Sequence, residues 1–327
     1  MPKAFLARMG DWLISTETTL ANAERPELRH YLELWMLRAV VFILQPLSID
    51  IASWLMGKIW RVAMTRGRRH RRALANLALA LPEKSEAERR RIAAGMEENF
   101  GRVFIEVFRL AELQAHPERF DVAGAELVTH LANGGGGLVL ASLHQGNWEA
   151  NACALNALGV KPAGVYRQLS NPLVEDIMFK VRSAVYPAGL YCRRPRGNIA
   201  RQLLQLVKAG GTLAVLSDLK DDSGVFLDFF GAPTSTNSFA AFVARMTGAP
   251  LIAAGSIRTH GVNFRGQIEL VPVPHTDDRN ADIEVATKRL AAVFERWIRA
   301  HPDQWLWTHR KWRLSDEEEA LVGRTKD

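Results

Sequence analysis

The chain has 327 residues, enough for one large domain or two small ones, and 48% of them are hydrophobic, the balance of a packed globular protein rather than a disordered chain. A net charge of +7 and a pI near 9.6 call for an anionic partner, with nucleic acid, an acidic membrane surface and a phosphorylated substrate all open at this point. The two cysteines, Cys153 and Cys192, have no metal-ligand spacing and exclude a disulfide framework, which suits a reducing compartment.

Residues 1–30 are polar and mixed in charge and read as an exposed helix without a cleavable signal. The most apolar stretch follows, at 31–56, interrupted by Arg38, Pro46 and Asp50. An unbroken span needs about twenty apolar residues, so a kinked membrane helix, an interfacial helix pair and a buried hairpin all remain open. Trp35, Trp54 and Trp60 lie near its two ends, as aromatic belts do. Arg61 and the basic cluster Arg66–Arg72 follow directly, a pattern that reads as the cytoplasmic side facing anionic headgroups. A helix over 73–81 stops before Pro82. Ser85 with Glu88 forms a capping-box pattern that opens another helix running to about Leu113, with Ile92, Met96, Phe100, Val103, Phe104 and Val107 on one buried face.

From about residue 120 short apolar runs alternate with amphipathic stretches. Strands are predicted at 137–142, 162–166, 212–217, 225–230, 250–257 and 264–273, and helices at 148–158, 172–185, 198–209, 238–247 and 281–300. This alternation predicts an α/β fold: a helical N-terminal region followed by a mostly parallel or mixed central sheet flanked by helices. The runs 250–257 and 264–273, joined by a short connection, suggest an antiparallel pair. The expected division is a membrane-associating helical region over 1–118, an α/β domain over 119–315 and a polar tail over 316–327. The glycine run 134–137 lacks the Lys-Ser/Thr of a phosphate loop and reads as a flexible lead into the next strand.

The chemistry is expected at Ser142–Glu149, where a buried strand stops at His144 and a helix begins, with Asn147 as its N-cap and Glu149 in its first turn. A neutral imidazole accepts a proton from an alcohol at neutral pH, and an adjacent carboxylate holds the ring tautomer and stabilises the imidazolium. Taken alone, a histidine and a glutamate five residues apart also describe a hydrogen-bonded core histidine. The chain has no Gly-x-Ser-x-Gly elbow, so the expected nucleophile is the substrate's own hydroxyl, attacking an activated acyl group without an acyl-enzyme. Gly146 is expected to permit a close approach of backbone and substrate.

Ser-Leu-His144-Gln-Gly-Asn147-Trp148-Glu149 resembles the His-x4-Asp/Glu block of the lysophospholipid acyltransferase superfamily, in the form typical of the bacterial lipid A late acyltransferases. Four further blocks resemble theirs in order: Val165-Tyr166-Arg167 with Asn171-Pro172; Leu216-Ser-Asp218 with Phe229-Phe230-Gly231-Ala-Pro233; Thr247–Pro250; and Trp305–Trp312. Together they cover roughly residues 30–315. The resemblance implies His144 as general base with Glu149 as its partner, Arg167 beside an acceptor phosphate or the developing oxyanion, and Asp218, Phe230 and Gly231 lining the same cleft. It also implies a thioester co-substrate, acyl carrier protein or acyl-CoA, with acyl carrier protein as the usual partner, and no other cofactor. The acceptor would be a lipid A precursor, at the cytoplasmic face of the inner membrane. Leu219 follows Asp218 where the family commonly has glutamine, which touches the polar contacts of that block and the identity of the acceptor. A lysophospholipid, ornithine lipid or glycolipid is the alternative acceptor; the Pro-Glu-Gly-Thr-Arg block of glycerophosphate acyltransferases is missing. Nucleic acid is not expected, since no binding module appears and the basic clusters adjoin apolar segments. No metal is expected, since the histidines are scattered without ligand spacing. The aromatic and basic stretch Trp305–Arg313 suits either a headgroup boundary or packing against the sheet.

Overall fold

The computed structural model describes residues 26–65, 67–193 and 199–313; most of the predicted N-terminal helix, Arg66 of the basic cluster and the tail at 316–327 lie outside these residues. The helical region opens with α1 (Leu28–Leu44) and α2 (Ile49–Met64), then α3 (Arg68–Ala80), α4 (Glu86–Glu106) and the short α5 (Leu110–Gln114). The apolar stretch is therefore a helix pair, broken where Pro46 cannot continue α1 and where the Ser48 hydroxyl accepts from the Ile51 N–H to start α2. The capping box that opens α4 forms: the Glu88 carboxylate accepts from the Ser85 N–H at 2.8 Å, and the Ser85 hydroxyl accepts from the Glu88 N–H at 3.3 Å.

Helices α2 and α4 touch backbone to backbone. A Cβ on Gly101 would lie 2.4 Å from the Trp60 Cβ and 2.8 Å from the Met56 carbonyl oxygen, so only glycine permits this crossing. Glu98 on α4 collects Lys58 and Arg61 from α2 and Arg102 from its own helix, at 2.9–3.0 Å. Burial alone would raise this carboxyl; the hydrogen bonds from Lys58, Arg102 and Arg61 outweigh it and hold it down at about 2.

The second region begins with β1 (Phe120–Val122) and α6 (Ala125–Asn133), followed by β2 (Leu138–Ser142), α7 (Asn151–Ala157), β3 (Pro162–Arg167) and α8 (Pro172–Ser183). Then come β4 (Leu190–Arg193), α9 (Ile199–Lys208), β5 (Thr212–Leu216), β6 (Lys220–Phe229) and β7 (Ala232–Thr236). The last elements are α10 (Phe239–Thr247), β8 (Leu251–Arg258), β9 (Phe264–Val271) and α11 (Arg279–Ala300). Seven strands form one sheet in the order β1-β9-β8-β2-β5-β3-β4, parallel throughout except for the antiparallel β8–β9 pair. The expected α/β architecture and the 250–257/264–273 pairing are both present. β2 sits centrally between β5 and β8 with all five residues buried, as a continuous apolar run in a sheet covered on both faces should be.

β6 and β7 form a separate hairpin whose turn residues, Phe230 and Gly231, both have positive φ, +55° and +72°. That is the left-handed two-residue turn that matches strand twist. Helix α4 ends at Glu106 and continues to residue 114 as a 3-10 turn and α5, in place of one helix to 113. β1, α6, β4 and β7 were not predicted: β1 and β4 have three and four residues, and β7 carries Pro233.

The stability contributed by the Glu98 cluster depends on a carboxyl held below its ordinary value of 4.5. It is complete above that value and is lost as pH falls toward about 2. In thermal melts between about pH 5 and pH 2, the melting temperature of the wild type is expected to fall more steeply than that of Glu98→Gln; parallel slopes would show that the cluster contributes nothing.

Candidate active site

Three adjacent parallel strands end at one edge of the sheet: β2 at Ser142, β5 at Leu216 and β3 at Arg167. Ligands in open α/β sheets bind outside the carboxyl ends of the strands. A cavity of about 1210 Å³ opens there, lined by His144, Glu149, Arg167, Arg182 and Lys220 together with Leu155, Leu203, Val215, Phe239, Phe242 and Ile283. One part of its wall is charged and another is apolar.

His144 stands two residues beyond β2, and Asp218 two residues beyond the neighbouring β5. The Ser217 N–H donates to the Ser142 carbonyl at 2.8 Å, which carries the strand pairing past its ends and sets the two side chains together. The Asp218 carboxylate then holds His144 twice: Oδ1 lies 2.8 Å from the ring Nδ1, and Oδ2 accepts the His144 backbone N–H at 2.9 Å. Oδ2 also accepts the indole N–H of Trp305 at 2.8 Å. Burial would raise this carboxyl, but the histidine and these hydrogen bonds hold it well below the usual carboxylate range. With Nδ1 on a fully buried carboxylate, Nε2 is the ring nitrogen left for a substrate proton.

The carboxylate on the imidazole is thus Asp218 and not Glu149. Glu149 lines the cavity with both oxygens on the Arg182 guanidinium, one at 2.9 Å, and no hydrogen bond or ion pair joins it to His144. Asn147 does not cap the next helix: it accepts from the Glu149 and Ala150 N–H groups at 3.1 Å and so closes a turn over 148–150, while α7 begins at Asn151 with Ala150 at its N-cap and Glu149 before its first turn. Gly146, at φ +60°, is pressed against protein backbone rather than substrate: a Cβ there would lie 2.1 Å from the Ser256 carbonyl oxygen.

Arg167 is exposed at the cavity wall, and its side chain makes no hydrogen bond or ion pair with the other described residues. Phe230 and Gly231 do not line the cavity. Phe230 is buried against Trp307 and Trp312 with the Arg299 guanidinium 4.5 Å above its ring, and its N–H donates to Glu295 at 2.8 Å. Trp305, Trp307 and Trp312 are all less than 5% exposed, so the terminal aromatic stretch is packing and not a headgroup boundary. His309 from this stretch stacks edge-on to His144 at 4.7 Å between ring centroids. Burial, the neighbouring His144 and the positive Lys311 and Arg69 push its ring down to about 4, with Asp218 opposing them, so it is neutral at pH 7.

A set of buried polar residues outside the sequence blocks fixes the His144 loop. Asn99 donates to the Gly146 carbonyl at 2.8 Å, and Asn147 donates to Glu106 at 2.6 Å. Glu106 also receives Arg258 through two bonds of 2.7 and 2.9 Å and the Ser53 hydroxyl at 2.5 Å. The available signal was a polar residue on an otherwise apolar helix face: Asn99 and Glu106 share α4 with Met96 and Val103.

The family model described as bacterial lipid A biosynthesis acyltransferase matches residues 22–314. A lipid A biosynthesis acyltransferase 2 of Shigella flexneri is 25% identical over 281 residues, 83% of this chain and 85% of the relative. A lipid A biosynthesis myristoyltransferase of Escherichia coli K12 is 25% identical, covering 77% of this chain and 78% of its own length. A phosphatidylinositol mannoside acyltransferase of Mycobacterium tuberculosis is 28% identical over 68% of this chain and 70% of its own. With the family match running from the first helices to the terminal tryptophans, the chain belongs to the bacterial lipid A biosynthesis acyltransferase family and is an O-acyltransferase of the lipid A late-acyltransferase type.

Proposed function

We propose that the protein moves a fatty acyl group from a thioester, carried by acyl carrier protein, to a hydroxyl of a lipid A precursor at the cytoplasmic face of the inner membrane. The observation that supports it most is the His144–Asp218 pair at the wall of a large cavity that is part charged and part apolar. The acceptor hydroxyl gives its proton to His144 Nε2 as its oxygen attacks the thioester carbonyl. Asp218 stabilises the imidazolium so formed. Collapse of the tetrahedral intermediate breaks the C–S bond, and the imidazolium returns the proton to the departing thiolate. No acyl-enzyme intervenes. The free guanidinium of Arg167 takes an acceptor phosphate at the cavity wall. The Glu149–Arg182 pair fixes the wall beside His144, and the apolar side chains at 203, 239 and 242 receive the acyl chain.

Membrane association is supported by the outer face of the first two helices. Trp35, Met36 and Phe42 on α1 are 64%, 70% and 69% exposed, and Val62 on α2 is 78% exposed, while Arg68, Arg69 and Arg71 lie exposed at the start of α3. An apolar surface of this kind flanked by cations suits an anionic bilayer. No helix among the described residues is long and apolar enough to cross a membrane, which favours helices lying in the interface. α1 is also tied to the cavity edge: Asn171, the cap of α8, donates to the His30 carbonyl at 3.0 Å and to Glu33 at 2.8 Å. A glycolipid acceptor of another kind is the second reading, favoured by the phosphatidylinositol mannoside acyltransferase relatives.

With labelled lauroyl carrier and a purified precursor, His144→Ala is expected to lose about 10²–10⁴-fold in transfer rate; near wild-type transfer would remove His144 as the base. Arg167→Ala is expected to raise the acceptor KM about tenfold with little change in kcat, the loss of one charge-assisted hydrogen bond made equally before and during reaction. Replacing Trp35, Met36 and Phe42 by serine is expected to abolish flotation with anionic vesicles while leaving the melting temperature unchanged. Mass spectrometry of lipid A from a deletion strain separates the acceptors: an intact acylation pattern would favour the second reading.

A further inference from the structure

Lys311 is 1% exposed, and no described carboxylate lies within ion-pair distance of its ammonium. Its Nζ donates to the Thr236 hydroxyl at 2.9 Å and sits 4.8 Å from the Phe229 ring centroid. A buried ammonium held by one hydroxyl and one aromatic face retains donors without acceptors. Beside it is a second, small cavity of about 10 Å³, bounded by Ser217, Asp218, Thr236 and Lys311 on one side and by Thr287 and Phe294 of α11 on the other. That is the lower limit for one water molecule. Ser217 Oγ, at this wall, is buried without a hydrogen-bond partner. Asp218 accepts three hydrogen bonds and so keeps one acceptor site unused.

Lys311 with its unused donors, Ser217 with its orphan hydroxyl and Asp218 with its remaining acceptor site thus line one small cavity. We propose that Lys311 is a positioning residue of the His144–Asp218 pair: its ammonium, across this one-water cavity shared with Ser217, supplies the positive charge that keeps the buried Asp218 ionised while His144 is neutral. The neighbouring ring of His309 is neutral at pH 7, and α11 presents Thr287, Leu290, Ala291 and Phe294 to the cavity, none of them charged. Arg69 on α3 acts on His309. Burial lowers the ammonium to about 8 and Asp218 opposes that fall, which is the reciprocal of the same contact. Lys311 thereby acts on the base through the carboxylate, without touching substrate.

This inference rests on His144 being the base, so its test reads the histidine directly and not the reaction. The imidazole resonances of ¹⁵N-histidine-labelled protein are followed from pH 4 to pH 9, with His144 assigned by its loss in His144→Gln. Removing a positive charge favours the protonated ring, so the His144 midpoint is expected to rise by about one pH unit in both Lys311→Met and Lys311→Gln. In the surface variant Lys208→Met it is expected to stay put. An unchanged midpoint in both Lys311 variants overturns the proposal. A rise in the methionine variant alone also overturns it, because glutamine keeps a hydrogen bond and lacks only the charge. If neither variant folds, the ¹³Cε resonance of Lys311 decides: in Asp218→Asn its midpoint is expected to fall by about one unit, and an equal midpoint in wild type and variant overturns the proposal. Failure of the catalytic reading is separate: it would appear as transfer retained by His144→Ala, with these titrations unaffected.

Discussion

The contact on which the rest of the structure depends is the double hold of Asp218 on His144. One oxygen meets the ring at 2.8 Å and the other meets the backbone N–H of the same residue at 2.9 Å. A carboxylate that bonds only a ring leaves the ring free to swing with its own backbone. A carboxylate that bonds both fixes the ring relative to the main chain. It also selects the tautomer with the proton on Nδ1, so the nitrogen available for a substrate proton is a basic one. The geometry requires two adjacent parallel strands that end in step, which β2 and β5 provide through the paired run from Leu138–Thr212 to Ser142–Leu216.

A fully buried carboxylate is costly unless it is compensated. The fold surrounds Asp218 with donors from distant parts of the chain: His144 from the central strand and Trp305 from the terminal segment. The terminal segment is itself clamped. The Leu306 N–H donates to the His144 carbonyl at 3.0 Å, and Asn76 on α3 donates to the Trp307 and His309 carbonyls at 2.7 and 2.8 Å. The helical region thus holds the segment that holds the aspartate. Glu106 and Asn99 on α4 fix the other end of the His144 loop in the same way. The apolar surface of α1 and α2 is joined to this frame through Asn171 and through the Gly101 crossing, so this exposed apolar layer and the cavity belong to one connected set of contacts.

Much of this was legible in the residues. The alternation of apolar runs gave the strand and helix sequence, because a sheet covered on both faces needs unbroken apolar strands. The Ser85–Glu88 spacing gave a helix start that the structure reproduces. His144 was placed where a strand stops, and it does line the cavity; Asp218 was expected to line the same cleft, but it is buried beside His144 and does not reach the cavity wall. The pairing of the two was not legible, because nothing local says which strands are neighbours: Glu149 is five residues from His144 in sequence, yet it faces Arg182, while Asp218 is 74 residues away and adjacent in space. Phe230 and Gly231 were expected to line the cleft as part of a family block, but they form the left-handed tip of a hairpin away from the cavity, with Phe230 packed on Trp307 and Trp312. Asn99, Glu106 and Arg258 were passed over for the same topological reason, their partners lying 41–159 residues away.

The central claim is that Asp218, and not Glu149, is the carboxylate that holds His144. A histidine Nδ1 proton bonded to a buried carboxylate gives a low-field resonance in the proton spectrum, away from the amide region. The account predicts that this resonance is present in the wild type, persists in Glu149→Gln and disappears in Asp218→Asn. A resonance that survives Asp218→Asn and is lost in Glu149→Gln would contradict it.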